Sequence, residues 1–442
     1  MDIQLSDHFT YRKLLRFTLP SVGVMVVLSI YWVVDGFFVS NFAGKIPFAA
    51  VNFVMPFLMI LGSAGLMFGT GGSALIGKTL GEGDSEKANR LFSMIIYFSI
   101  AFGILITIPG ELFLERAAVW FGAEGEMLEG CVTYGRILLM SVTPFILSFE
   151  FQSLMVTAEK PDLGFKVTLA TGCLNILLDA VLVAGLRLGL TGAAVATAIS
   201  QTIGALIPLL YFARDNSSLL RLTGMSWDGR AMAKACTNGL SELVNNIAFS
   251  IVGILYNVQF LKYTGEDGIA AYGVLLYVSM IFEAVYIGFC MGSSPAVSFH
   301  YGADDREELR SLLQKSLCII GAASLCMMVF SQLMAVPLSY IYTGYDKDLM
   351  AMTVHGFRIY SVTFLFSGFG IYGSAFFTAL NNGPVSALIS ILRTMVFEVL
   401  CVLALPLLFG PDGIWASVVA ADFMAMTVSF ILLRLKQKQY GY

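Results

Sequence analysis

The chain is a succession of apolar runs, each long enough to cross a bilayer, divided by short charged or glycine-marked breaks. A hydrocarbon core about 30 Å thick needs about 20 mostly apolar residues per helix. Segmentation on that basis predicts twelve spans, at roughly 14–40, 46–78, 89–112, 131–157, 163–187, 190–213, 231–262, 268–299, 310–342, 352–380, 384–409 and 413–434. Only 13% of the 442 residues are charged, where a water-soluble chain carries about a quarter. The expected fold is therefore all-α and integral to the membrane. The first apolar run is too long for a signal peptide and lacks a small-residue cleavage site, so it reads as a retained first helix.

Lys and Arg orient the spans, because basic residues favour the cytoplasmic side. Arg12, Lys13, Arg16, Lys78, Lys87, Arg90, Arg214, Arg221, Arg306, Arg310 and Lys436 are among those that fall on one side. The other side carries mainly Lys45, Arg116, Arg187, Lys262 and Lys347. The first set is more than three times the larger. With an even number of spans, both termini are expected in the cytoplasm.

A repeat runs through the chain. The segment GGSALIGKTLGEGDSEKANR follows the second span and SSPAVSFHYGADDREELR follows the eighth. A shift of 221 residues places Ser73 on Ser294, Gly81 on Gly302, Asp84 on Asp305 and Glu86 on Glu307. The same shift places Gly192, between the fifth and sixth spans, on Gly413, between the eleventh and twelfth. Six is even, so the two halves have the same orientation and form a parallel repeat about an axis along the membrane normal. The expectation is two pseudo-symmetric six-helix bundles, 1–213 and 231–442, joined by a polar cytoplasmic linker at 214–230, with the substrate site between them.

Ionisable groups at bilayer depth are costly and are usually functional. Asp35 lies near the outward end of the first span. Asn175 and Asp179 lie in the fifth with an i, i+4 spacing that puts both on one helix face, and Thr197 lies in the sixth. At 1.5 Å per residue, all lie roughly 8–12 Å below the outer ends of their helices, so they can converge. Oxygen ligands of this kind suit a small hard cation. Two carboxylates in a low dielectric cannot both stay ionised cheaply, so the cluster is expected to take H⁺ or Na⁺. Pro20, some turns below Asp35, removes a backbone hydrogen bond and is expected to hinge the first helix.

The second half carries a different set: Glu242 and Asn246 on the seventh span, Glu283 on the eighth, Arg393 and Glu398 on the eleventh, Asp422 on the twelfth. Glu150 lies in the inner half of the fourth. Glu242, Glu283, Glu150 and Asn246 are the candidates for a substrate cavity or a second proton site. Thirty-five Phe, 18 Tyr and 21 Met can furnish adaptable apolar and cation–π surfaces. The seven cysteines form no CxxC pair and sit in apolar runs, as small hydrophobes do. No basic patch points to nucleic acid. Three histidines and no HExxH or intramembrane Ser/Lys cluster give no support for an enzyme.

Several segments together resemble the MATE (multidrug and toxic compound extrusion) family. They are LPSVGVMVVLSIYWVVDGFFVSNFAG, GKTLGEGD, NILLDAVLVAGLRLGLTGAAVATAIS, SSPAVSFHYGADDREELR and FGPDGIW. Their order and spacing cover nearly the whole chain, and GFCMGSSPAVSFHYGA is most similar to the bacterial branch of MepA-like exporters. The resemblance implies two six-helix lobes that open alternately to the two sides of the cell membrane. It also implies export of amphiphilic, often cationic, small molecules by antiport with H⁺ or Na⁺, without another cofactor and by a monomer. In DinF-like members an N-lobe cation site uses an Asp, an Asn–Asp pair and a Thr that match Asp35, Asn175, Asp179 and Thr197. In NorM-like members a C-lobe site pairs a seventh-helix Glu, matched by Glu242, with a tenth-helix Asp. The tenth span here has no acid, so that second site does not carry over. The alternative within the superfamily is a flippase for a lipid-linked or polar lipid. Such a protein needs a basic cavity, and Arg393 is the one clear intramembrane cation in the sequence.

Overall fold

The computed structural model describes residues 3–43, 45–120, 123–224, 226–344 and 346–442. Of the residues used above, Gly44 of the first quoted segment and Met225 of the expected linker are not covered, nor is the side chain of Lys45. The described chain is almost wholly helical. Eleven helices are long and apolar enough to cross a membrane, and a bent pair makes a twelfth crossing. We label the crossings α1 (Tyr11–Phe38), α2 (Lys45–Gly81), α3 (Ser85–Trp120), α4 (Gly125–Met140 with Val142–Thr157), α5 (Pro161–Asp179), α6 (Gly189–Ala213), α7 (Gly229–Thr264), α8 (Glu266–Gly302), α9 (Arg306–Thr343), α10 (Lys347–Tyr360 with Ser367–Ala379), α11 (Gly383–Ile391 with Glu398–Phe409) and α12 (Pro411–Tyr440).

Helix starts follow from side chains that satisfy the first free N–H groups. Thr10 caps α1, Asp228 caps α7, Asp305 caps α9, Asp346 caps α10 and Asn382 caps α11. Leu105, Leu333 and Leu407 are among many large apolar side chains exposed on the outside. A water-soluble fold does not leave so much apolar surface bare, and a bilayer accepts it.

The fourth crossing starts before its expected span at 131–157. It begins at Gly125 and bends by 59° at Ser141. Pro144 explains the break: its ring displaces the carbonyl four residues earlier, at Met140, and it has no N–H to return. The third crossing also overruns its expected end, reaching Trp120.

Among the described residues, three π-helical turns interrupt the helices: Val39–Ala43 after α1, Ala180–Gly185 after α5 and Leu392–Phe397 within α11. Such turns insert an extra residue into the ladder and concentrate at functional sites. Here each lies beside a charged candidate, respectively Asp35, Asp179 and Arg393. Pro20 lies inside a continuous helix α1.

The two halves meet through glycines. A Cβ on Gly71 of α2 would lie 2.0 Å from the carbonyl oxygen of Ala235 on α7, and one on Gly239 of α7 would lie 1.9 Å from that of Met67 on α2. On the other side of the axis, α1 packs on α8, where Gly292 faces Thr18 and Gly288 faces Val22. The 221-residue shift exchanges these contacts, carrying Gly71 to Gly292 and Thr18 to Gly239. At the end that carries both termini, Asn381 holds the halves together. Its Nδ2 donates to the carbonyl of Ala74 at 2.8 Å, and its Oδ1 accepts from Asn238 at 2.7 Å.

Candidate functional site

The first half gathers Asp35, Asn175, Asp179 and Thr197, all buried, with Asp35 3% and Asp179 0% exposed. Asn175 Nδ2 lies 3.5 Å from Thr197 Oγ1. Asp35 neighbours both Asp179 and Thr197, side chain to side chain. One oxygen of Asp35, both of Asp179 and the amide oxygen of Asn175 are buried without a protein donor. A buried acceptor without a donor is strongly disfavoured. A proton shared by the carboxyls, or a small cation among these oxygens, relieves several such atoms at once.

Two tyrosines complete the cluster and were not among the sequence candidates. Tyr31, one turn before Asp35 on α1, reaches the Thr197 hydroxyl. Tyr134 on α4 is buried near Asp35, Asp179 and Tyr31. It lies on the segment of α4 before the bend at Ser141. The signal available in the sequence was the i, i+4 spacing of Tyr31 and Asp35.

A second space lies between the halves, a cavity of about 420 Å³. Met25, Leu66 and Phe149 line it from the first half, but most of its wall belongs to the second. Glu242, Asn246, Glu283, Arg393, Glu398 and Asp422 all face it. So do Phe249, Tyr272 and Tyr360. Such a mixture of apolar wall and a few convergent polar groups is typical of small-molecule sites. Asn246 Nδ2 donates to its own helix at the Glu242 carbonyl, 2.9 Å away, which leaves its amide oxygen as the acceptor on offer.

Arg393 is not free. Its Nε donates to Asp422 Oδ1 at 2.9 Å, and the other carboxylate oxygen of Asp422 accepts from Thr363 Oγ1 at 2.6 Å. Asp422 thus takes up the one guanidinium. Glu242, Glu283 and Glu398 form no ion pair among the described residues. The wall is net acidic, the opposite of what an anionic lipid headgroup requires.

The halves differ at three matched positions of the repeat. Gly62, Gly65 and Gly69 let α4 lie directly on α2, with a Cβ at Gly65 falling 2.2 Å from the Ile146 carbonyl oxygen. The shift carries these three to Glu283, Tyr286 and Cys290. Glu283 and Cys290 line the cavity, whereas Tyr286 packs on Gly368 of α10 and its hydroxyl donates to the Phe364 carbonyl at 2.8 Å. Glu150 is placed elsewhere. It is fully buried behind Gly69, beside Ser99 of α3, and does not line the cavity.

Comparison with known proteins agrees with this architecture. A family model described as MatE matches residues 20–181 and 243–403. Those are two copies of one pattern, displaced by nearly the shift of the repeat. The chain is similar to the multidrug export protein MepA of Staphylococcus aureus strain MSSA476, with 24% identity over 97% of this chain and 94% of that one. It is also similar to MepA of Staphylococcus saprophyticus, with 23% identity over the same shares. Among solved structures, an outward-facing MATE multidrug resistance transporter of the MOP superfamily superposes with a TM-score of 0.92. It has 22% identity and covers 98% of this chain and 97% of that one. A MATE protein in its bent conformation gives 0.90 at 23% identity, over 98% and 97% of the two chains.

Proposed function

Because the chain belongs to the MatE family of membrane transporters, we propose that it is a secondary active exporter of amphiphilic, cationic small molecules, driven by inward movement of H⁺ or Na⁺. The observation that carries this reading is the separation of two acidic spaces. One is a tight cluster of unpaired oxygens around Asp35 and Asp179, of a size for a proton or a bare cation. The other is a cavity of about 420 Å³ whose acids and aromatic rings suit an organic cation.

In this reading the cation enters the first half from outside. Its charge is met by Asp35 and Asp179, and the oxygens of Asn175 and Thr197 close around it. Drawing α1, α5 and α6 together strains the α1–α8 contact near Pro20, where the missing hydrogen bond makes bending cheapest. The central cavity then releases its substrate outward. Glu242 and Glu283 hold the positive charge of the substrate, Asn246 accepts a hydrogen bond from it, and the π-helical turn at Arg393 keeps Asp422 neutralised. Glu150 serves as a further buried acid in the first half. Both termini are cytoplasmic, the chain works as a monomer in the bacterial cell membrane, and the halves 1–213 and 231–442 move about the linker.

One charge crossing 100 mV supplies about 2.3 kcal/mol. At about 1.4 kcal/mol per tenfold, that sustains roughly a fifty-fold gradient of a neutral substrate. The test is ethidium transport in proteoliposomes under a pH gradient alone and a sodium gradient alone. Accumulation under at least one of them is expected. Absence of accumulation under both overturns the reading.

A further inference from the structure

Two small cavities in the first half have no part in the mechanism so far. The upper, about 70 Å³, lies among α1, α4, α5 and α6 and includes Tyr31, Thr171, Gly172 and Ser200 in its wall. The lower, about 30 Å³, lies among the same four helices, with Met291 of α8, and reaches Pro161, the first residue of α5. Along every one of the four helices the lower cavity is displaced toward the end that carries the termini. Gly204, Thr168, Ser148 and Gln152 line both, so the two are stacked in one column. Each has room for at least one water, which needs about 10–15 Å³.

Three features show that the column is built. First, two of its glycines are not crossing glycines. At Gly71, Gly81 and Gly239 a Cβ would fall about 2 Å from a neighbouring carbonyl oxygen. At Gly204 the nearest atom would be 3.5 Å away, and at Gly172 it would be 3.6 Å away. A methyl would fit at both, and its absence leaves room. Second, three of the hydroxyls facing the column donate to their own helices: Thr171 to Val167, Ser148 to Phe145 and Ser200 to Ala196. Their protons are used, so what they turn outward are lone pairs, which suit a cation. Third, Ser21 Oγ in the lower cavity and Gln152 Oε1 at the junction are buried with no protein partner. Buried polar atoms without a partner call for water or an ion.

The upper end of the column is Tyr31, which touches Thr197 beside Asp35 and Asp179. Gln152 also lines the central cavity, and among the described residues no other lines all three spaces. We propose that this column is the path by which the coupling cation leaves the Asp35–Asp179 site toward the terminus-bearing side, and that Gln152 is the partition that keeps it out of the substrate cavity. The proposal rests on the reading of that site as a cation site.

The experiment uses Gly204→Leu, which fills the column where both cavities share a wall, and Gly204→Ala, which fits. Ethidium binding to purified protein is expected to stay within twofold for both. Ethidium transport driven by ΔpH or by a sodium gradient is expected to fall at least tenfold with Gly204→Leu and less than twofold with Gly204→Ala. Gln152→Ala is expected to raise proton or sodium leak, measured without ethidium, at least tenfold. If Gly204→Leu transports as the wild type while Asp35→Asn does not, the column is refuted and the cation site stands. If Asp35→Asn also transports as the wild type, the cation site itself is refuted. Should Gly204→Leu bind no ethidium, Gly204→Cys decides. Reaction with a small cationic methanethiosulfonate from the terminus-bearing side must stop transport relative to the wild type treated alike, and unaltered transport overturns the proposal.

Discussion

Gly81 and Gly302 face each other's helices reciprocally. A Cβ on Gly81 would stand 1.9 Å from the carbonyl oxygen of Phe299, and one on Gly302 would stand 2.0 Å from that of Lys78. Phe299 is Lys78 displaced by 221 residues, just as Gly302 is Gly81 displaced. The contact is therefore its own image, as at an interface between two copies of one surface. Any side chain added at one partner would meet backbone that cannot yield.

The prediction is that Gly81→Val opens the terminus-bearing end. Overpacking costs typically about 1–3 kcal/mol, and separating α2 from α8 there is the direct relief. Spin labels on the two helix ends should report a longer distance, and driven ethidium transport should fall at least tenfold. Gly273→Ala is the control, since no atom lies within 4 Å of its Cβ position. An unchanged distance in Gly81→Val would sink the idea.

Removing one hydroxyl should separate ion binding from packing. Thr197 is buried and within 3.5 Å of Asn175 Nδ2. Thr197→Val keeps the shape and deletes the oxygen, whereas Thr197→Ser keeps the oxygen. Leaving a buried polar partner unsatisfied costs about 1–3 kcal/mol. The driving-ion concentration for half-maximal transport should therefore rise roughly 5- to 150-fold in Thr197→Val and little in Thr197→Ser. Asp35→Asn and Asp179→Asn should each abolish gradient-driven accumulation, and the double variant should be no worse than either. Equal half-maximal concentrations in Val and Ser variants would remove Thr197 from the site.

The second half should respond in stability. Arg393→Met leaves Asp422 buried with only Thr363 as a donor. Breaking one side of a buried pair costs about 3–5 kcal/mol, whereas replacing both sides by apolar groups is often neutral. Thermal unfolding in detergent should show a large drop in Tm for Arg393→Met and recovery of most of it in Arg393→Met/Asp422→Leu. Equal Tm values for the single and double variants would show that the pair does not stabilise this region.

How far the sequence could be read depended on what each residue does. The acidic cluster was legible because Asp35, Asn175 and Asp179 are rare residue types at membrane depth, and spacing alone put them on converging faces. Glu150 was equally rare, but its burial behind Gly69 depends on how closely α4 approaches α2, a tertiary fact. Tyr31 and Tyr134 were hidden because an aromatic residue on a membrane helix reads as apolar filling. The column past Gly204 was hidden because a glycine that makes space and a glycine that permits contact look alike in a sequence. The bend at Ser141 followed from Pro144, yet its size follows from the packing of both segments of α4.

The polar start of the chain had no assigned role beyond its side of the membrane, yet residues before α1 are anchored to both halves. Leu5 and Phe9 are fully buried. The Leu5 N–H donates to Glu159 Oε1, in the turn between α4 and α5, at 2.5 Å. The Phe9 N–H donates to Glu308 Oε1 at 2.8 Å, the ring of His8 meets the other oxygen of Glu308, and Lys315 Nζ donates to the Phe9 carbonyl. Glu308 sits in the first turn of α9, where a helix favours negative charge. Hydrogen bonds to a charged group contribute about 1.5–3 kcal/mol. Glu308→Ala should therefore speed amide exchange at Phe9 by roughly 10- to 150-fold, with exchange in the middle of α9 unchanged. Because the strap joins the halves at the end closed by Gly81 and Gly302, its release should also lengthen the α2–α8 distance there in a part of the population. Exchange at Phe9 equal to that of the wild type would show that Glu308 does not hold the strap.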